Sequence, residues 1–394
     1  MKKVLLVSLI LIVVILGFWG IKQGLAWRRE AQEQKQYQNS IEDAINNHRN
    51  QISQENIDSD PFGEDGKISV LFLGLDKRAG QTSGHCDAIQ FITIDKNKQN
   101  IQITAVPRGT YSPLPPGTGK IPSDYYVSNA CGLGGLEYGI EQIEKILGQK
   151  ADYIVTVGFS EVLGILRNLK LPTTETLQWL RLRQGYAIGE PQRARDHSTF
   201  LKYLLTNYVP AEITKTDKVF HYLIYKMIQT DLTFSETEKV VAELSKMDLK
   251  NNPNKIQLYM RPAYAVQDIA YVPEEVGVYL DKMLGAIKWS LSKDDYADIT
   301  VEEKQAKVKE LLAEKKDDPE FIAWAFENNF WLQIEDDADR LAIQYDFLKK
   351  YLQLEAAKDK QESIILDYIL EMENRGETEW LAKGKKLLAQ TIKK

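Results

Sequence analysis

Apolar and polar positions change their spacing several times along the chain, and each change marks an element. Val4 to Ile21 reads VLLVSLILIVVILGFWGI, eighteen residues without a charge. A helix of that length spans about 27 Å, close to the roughly 30 Å hydrocarbon core of a bilayer. No small-residue cleavage site follows in GFWGIKQGLAW, so the pattern predicts an uncleaved N-terminal transmembrane anchor within residues 1–27. Lys2 and Lys3 precede the run and Lys22, Arg28 and Arg29 follow it, which leaves orientation open on charge alone. Within residues 28–66, Arg28 to about Asn56 is rich in Gln, Asn and Glu, with Ile41, Ala44 and Ile45 as its only inner apolar cluster. Residues 28–66 are expected to form a solvated helical stalk and a linker, the latter broken by Pro61, Gly63 and Gly66.

Ile68 to Leu75 is a continuous apolar run of strand length, the pattern of a strand covered on both faces. Ala88 to Ile94 and Ile101 to Val106 flank the polar hexapeptide Asp95 to Asn100 and predict a hairpin. Leu136, Ile140, Ile143 and Leu147 recur at helical spacing before Gly148, a C-cap residue. Tyr153 to Val157 returns to strand, and Ser160 to Leu169 to helix. Mixed elements over residues 67–208 predict an α/β/α-like sandwich domain. Residues 209–394 change character. Val219–Met227, Ser235–Met247, Val301–Ala313, Pro319–Phe326, Ala338–Tyr351 and Gln361–Glu373 carry helical periodicity, so a mostly helical C-terminal region is expected.

Composition narrows the class. Of 394 residues, 50 are Lys or Arg and 56 are Asp or Glu, a net charge of −6, and 43% are hydrophobic. Such a chain folds, and its mild acidity argues against a nucleic-acid partner, which needs a clustered basic surface. No phosphate loop, dinucleotide fingerprint, zinc spacing or nucleophile elbow is present. Cys86 and Cys131 either close a loop of 45 residues in an oxidising compartment, worth about 4 kcal/mol, or are two buried thiols.

The informative charges sit at strand ends. Asp76 ends the first strand, Asp87 opens the second, and Arg108 follows the third in Val106-Pro-Arg-Gly-Thr-Tyr111. Neighbouring strands would bring both carboxylates to one end of the sheet. They are then either turn aspartates or oxygen ligands for Mg²⁺, which takes one or two carboxylates with waters and substrate phosphates. Leu180-Arg-Leu-Arg183, read as an extended segment, puts Arg181 and Arg183 on one side, a geometry suited to an anion. With Arg78, Arg108, Arg193 and Arg195 these form either a phosphate-binding group or a solvated basic face. His197, inside that cluster, is a surface hydrogen-bonding histidine or a participant in the site.

These stretches resemble the LytR-CpsA-Psr family of membrane-anchored cell-envelope enzymes. Leu73-Gly-Leu-Asp-Lys-Arg78 is similar to the family's opening strand, Cys86-Asp87 to its Ser-Asp, Val106-Pro-Arg-Gly-Thr-Tyr111 to its Pro-Arg-Asp-Thr, and Arg181-Leu-Arg183 to its R-x-R strand. Lys120 falls where the family has a lysine, and Arg193 where it has another arginine. The resemblance implies a polyprenyl-diphosphate-binding fold and a phosphotransferase that moves a lipid-linked glycopolymer onto peptidoglycan. It implies Mg²⁺ on Asp76 and Asp87, a catalytic group of Asp76, Asp87, Arg108 and Arg181, and diphosphate contacts from Arg78, Arg108, Lys120, Arg181, Arg183, Arg193 and His197. It also implies a single-pass protein of the cell membrane, with a cytoplasmic N-terminus and an extracytoplasmic catalytic domain. The rival readings are a non-catalytic receptor for an anionic polyprenyl lipid or glycan and a polyprenyl-diphosphate pyrophosphatase. Three departures stand out: no Gly-Gly-Val strand lies between Leu171 and Leu180, Gly109 replaces an aspartate, and His197 replaces a glutamine.

Overall fold

The computed structural model describes residues 39–50, 60–76, 84–182, 189–284, 301–327 and 329–393. The expected anchor, Arg78 and Arg183 lie outside the described residues, as does the side chain of Asp76. Among the described residues no helix is long and apolar enough to cross a membrane.

Helix α1 (39–50) leads into strands β1 (Lys67–Asp76), β2 (His85–Asp95) and β3 (Asn100–Ala105). Then come α2 (Val127–Leu133), α3 (Leu136–Leu147), β4 (Tyr153–Gly158), α4 (Phe159–Asn168), α5 (Thr173–Arg181) and α6 (Gly189–Tyr208). Helix α7 (Lys215–Tyr225), the short β5 (Gln229–Thr230), α8 (Phe234–Lys246), β6 (Ile256–Met260) and α9 (Val276–Leu284) complete this part. The six strands form one mixed sheet in the order β5-β4-β1-β2-β3-β6.

The apolar run of β1 lies at its centre, antiparallel to β2 and parallel to β4. The predicted hairpin is present, with β2 and β3 antiparallel and Asp95 paired with Asn100 across the polar turn. Helix α3 stops at Gly148, whose φ of 71° is the left-handed conformation that a helix-ending glycine supplies at little cost.

Alternate residues of β1 and β2 serve opposite faces. Leu71, Leu73, Leu75, Ile89 and Phe91 pack beneath α1, α2 and α3 in one core cluster. On the other face Ile68, Val70 and Ile94 pack against α8 and the C-terminal half of α6. Helices α5 and α9 close a third cluster around Trp179.

Three expectations are corrected here. Residues 39–50 are not a solvated stalk, because Ile41, Ala44 and Ile45 are buried in the same cluster as β1. His48 at the end of that helix bonds Asp231, whose other oxygen accepts from the Ile154 N–H of β4. The sheet also does not end at residue 208, since β5 and β6 come from beyond it and β6 pairs in parallel with β3. Lastly, Arg181 ends a helix rather than lying on a strand. Four apolar and basic letters in alternation are too few to outweigh Thr176, Leu177, Trp179 and Leu180 at helical spacing.

The last part is the helical region expected from periodicity. Helices α10 (Val301–Glu314), α11 (Pro319–Glu327), α12 (Asp337–Leu354), α13 (Lys358–Arg375) and α14 (Thr378–Lys393) enclose two apolar clusters of their own.

Candidate functional site

The site begins with an irregularity in β2. Gly74 pairs with Ala88 and Leu75 pairs with Cys86, so Asp87 is the extra residue of a β-bulge. Strict alternation would send Asp87 to the face of Ile89 and Phe91. The bulge reverses the parity at this point. Cys86 turns into the filled face, where it is disulfide-bonded to Cys131 of α2 at a Cα separation of 5.9 Å. Asp87 turns the other way, into a cleft of about 360 Å³ between the sheet and α4, α5 and α6.

The floor of that cleft is Phe72, Gly74, Ala88, Gln90, Val155 and Val157, and its walls include Val162, Ile165, Leu177, Phe200 and Leu204. Gly74 has a packing reason to lack a side chain: a Cβ there would come within 2.9 Å of the Ala88 Cβ. Small residues at both positions keep the floor low. Apart from Gln90, the charged and polar lining consists of Asp87, Arg181, Arg193 and His197.

Those polar groups are placed by a buried network. Gln90, fully buried within the otherwise apolar stretch Ala88–Ile92, donates through Nε2 to the Ala194 carbonyl at 3.0 Å and accepts from Ser198 Oγ at 2.7 Å. Both partners lie on α6, so Gln90 fixes the helix that carries Arg193 and His197. Arg193 approaches Asp87 Oδ2 at 3.5 Å, and Arg108 reaches Asp87 Oδ1 at 2.7 Å. The Arg181 guanidinium lies 5.9 Å from the ring centroid of Phe159. Two guanidinium groups thus meet one carboxylate, with Glu190 3.8 Å from Arg193 and Arg181 lining the same cleft. Guanidinium groups so gathered suit an anionic ligand.

His197 is not on the surface. It is 8% exposed, and its Nε2 lies 2.7 Å from the Leu180 carbonyl. Burial first, and the Arg193 charge second, push its pKa down to about 3. The ring is therefore neutral at physiological pH, with Nε2–H donating to Leu180 and Nδ1 without a partner among the described residues.

The structure brings Asp87, Arg108, Arg181, Arg193 and His197 together and leaves two others apart. Lys120 is exposed on the loop before α2, where its backbone N–H bonds Asp124, and it does not line the cleft. Arg195 is engaged with Asp268 at 2.5 Å. Asp76 pairs through its backbone with His85, which puts it at the same end of the sheet as Asp87. Gln90 was missed from sequence, although a lone amide inside Ala88-Ile-Gln-Phe-Ile92 is a legible signal of a buried polar contact.

Among the described residues no group of three or more His, Cys, Asp or Glu gathers as a metal cage.

The LytR_cpsA_psr family model matches residues 30–166, from the segment before β1 into α4. That segment is similar to the LytR-CpsA-Psr family. Two curated relatives show the range. The polyisoprenyl-teichoic acid–peptidoglycan teichoic acid transferase TagU of Bacillus mycoides (strain KBAB4) is 30% identical over 98 residues, 24% of this chain and 31% of that protein. The regulatory protein MsrR of Staphylococcus aureus (strain COL) is 34% identical over 100 residues, 25% of this chain and 29% of that one. The chain therefore spans about a third of the length of the curated relatives it matches. Among solved structures, B. subtilis TagV is 17% identical with a TM-score of 0.42, covering 56% of this chain and 98% of that one. TagT bound to LIIa-WTA is 15% identical with a TM-score of 0.38, covering 59% and 98%.

Proposed function

We propose that the chain is a phosphotransferase that moves a polyprenyl-diphosphate-linked glycopolymer onto a hydroxyl of peptidoglycan, outside the cytoplasm and next to the membrane. The observation that carries this reading is a cleft that is apolar along its length and charged at one end. A prenyl chain suits the Val, Ile, Leu and Phe walls, and two linked phosphates suit Arg108, Arg181 and Arg193. The transferase name of the relative TagU agrees with it. The apolar run at Val4–Ile21 supports a membrane anchor, and the Cys86–Cys131 disulfide supports an oxidising compartment.

In this reaction the acceptor hydroxyl oxygen attacks the phosphorus that bears the glycan. A new P–O bond forms, the bond to the polyprenyl phosphate breaks with its bonding pair leaving on the lipid phosphate, and the hydroxyl proton is released to solvent. Arg193 and Arg181 stand where that charge develops and stabilise it without reorganising. Arg108 orients Asp87 through its 2.7 Å ion pair. Neutral His197 donates to Leu180 and keeps the end of α5, with Arg181 on it, against α6. Asp87 and Asp76 are the carboxylates that would hold Mg²⁺, which would neutralise phosphate charge.

The test is transfer by the full chain in detergent, supplied with polyprenyl-diphosphate-linked glycan, peptidoglycan fragments and Mg²⁺. The expected product is glycan joined to peptidoglycan through a phosphodiester. Asp87→Asn and Arg181→Ala should each slow its formation by about 100-fold. Free glycan phosphate without coupled product would make the protein a pyrophosphatase, and lipid binding without turnover a receptor. Unchanged transfer in both variants would remove these residues from the site.

A further inference from the structure

Helix α4 is used on two sides. Phe159, Val162, Ile165 and Leu166 face the cleft. Ser160, Gly164 and Arg167, at the complementary helical spacing, face the segment Phe330–Glu335 of the C-terminal helical region. That segment is a 3₁₀ turn over Phe330–Gln333 followed by two extended residues, set between α11 and α12.

The contact between them is dense. Arg167 is half-buried, which lowers its pKa to about 10, and it remains charged at neutral pH. Its guanidinium donates to the Leu332 carbonyl and, at 3.1 Å, to the Ile334 carbonyl. From the opposite side Arg340 of α12 donates to Ile334 and Glu335, each at 2.9 Å. Gln333 reaches Ser160 Oγ at 3.2 Å, and Glu335 accepts from Thr174 Oγ1 of α5 at 2.9 Å. Leu332 fills the space over Gly164, where a Cβ would meet its Cδ1 at 2.7 Å. Two cleft-wall helices are thus tied to one short segment. The family match ends at residue 166, and the segment belongs to chain far beyond it.

We propose that Phe330–Glu335 is a strap by which the C-terminal helical region holds α4 and α5 at a set distance from the sheet, so that Arg167 and Leu332 are positioning residues for the prenyl chain. This rests on reading the cleft as a prenyl-lipid site. An apolar chain gains from contact on every side, and a wall that drifts outward by a fraction of an ångström forfeits much of that gain. The diphosphate end is different. Asp87, Arg108 and Arg193 belong to β2, the loop after β3 and α6, whereas Arg181 ends α5 two turns beyond Thr174, so only this last arginine is on an element the strap holds.

The strap therefore predicts a split between tail and head. The probes are a fluorescent polyprenyl diphosphate and, separately, inorganic pyrophosphate, titrated into the full chain in detergent. Arg167→Ala should weaken the polyprenyl probe by about 10-fold while leaving pyrophosphate within about 2-fold. Leu332→Ala, which keeps every hydrogen bond of the strap, should show the same split, so the result does not depend on whether the arginine variant folds. Arg167→Lys, able to reach one carbonyl, should recover part of the loss. Polyprenyl affinity unchanged in both alanine variants, or loss of both probes together, overturns the strap. Failure of the unaltered protein to bind the polyprenyl probe overturns the reading of the cleft itself, and the strap with it.

Discussion

The two faces of the central sheet are made by alternate residues of the same strands, and they differ in what fills them. On one, Leu71, Leu73, Ile89 and Phe91 pack beneath α1, α2 and α3 with exposures of 0 to 1%. On the other, Gly74, Ala88 and Gln90 occupy the alternate positions, and the space above them is open. Residue size at three places on two strands decides which face is core and which is site. The bulge at Asp87 then assigns the functional groups, sending the cysteine to the filled face and the carboxylate to the hollow one. A filled face makes a rigid floor, so the hollow face can stay hollow without collapsing.

The sharpest way to break this contrast is to fill the cleft. Ala88→Phe puts a ring on the floor above Gly74, where the volume exists to take it. Binding of a polyprenyl diphosphate should fall by at least about 100-fold, while the melting temperature moves little because no native contact is lost. The neighbouring substitution on the filled face should do the reverse. Ile89→Ala leaves a void under α2 and α3, and denaturant titration should show a loss of about 2–5 kcal/mol. Lipid affinity of its folded fraction should be unchanged. Equal effects of the two variants on binding would mean that the faces are not functionally distinct.

A smaller effect is expected from unstapling the filled face. The Cys86–Cys131 bond closes a loop of 45 residues. Replacing both cysteines by serine should cost about 4 kcal/mol in the chain-entropy model, read as a fall in the denaturation midpoint. Because Cys86 is adjacent to Asp87, the bulge should also lose definition, and transfer should decline before global unfolding begins. Transfer that tracks the folded fraction alone would show that α2 braces the fold and not the site.

How far the sequence speaks can be judged from particular elements. The run Ile68–Leu75, the hairpin around Asp95–Asn100 and the helix ending at Gly148 are where periodicity puts them, since each is a local pattern over enough residues. The bulge is invisible to period-two reasoning, because one extra residue leaves the letters unchanged and only the pairing partner reveals it. Helix α6 misled for another reason. Its polar run Gln192-Arg-Ala-Arg-Asp-His197 looks solvent-facing, yet Gln192, Arg193, Asp196 and His197 are buried: Gln192 bonds Gln267, Arg193 approaches Asp87 and His197 bonds Leu180, all from other parts of the chain, while Asp196 accepts from Gln192. Strands β5 and β6 are short, and they become strands by pairing with edges formed much earlier in the sequence. Arg108 and Arg193 were found as charges; their convergence on Asp87 needed the fold.

The gentlest probe of the contrast is acid, because the hollow face carries the buried imidazole of His197. His197 has a folded pKa of about 3, lowered by burial and by Arg193, against an unfolded value near 6.5. The folded state therefore binds fewer protons than the unfolded state between those values. Its stability contribution is complete above pH 6.5 and is lost as pH falls toward 3, amounting to about 2 kcal/mol by pH 5. His197→Gln supplies an uncharged amide that can still donate to Leu180, so it should flatten this part of the stability curve while leaving the pH 7.5 value within about 1 kcal/mol. The same depressed pKa means that His197 does not change charge between pH 5 and 8, and the transfer rate should show no histidine step there. A step near pH 6.5 that disappears in His197→Gln would show that the ring is hydrated in solution, and with it that the hollow face is open to water down to α6.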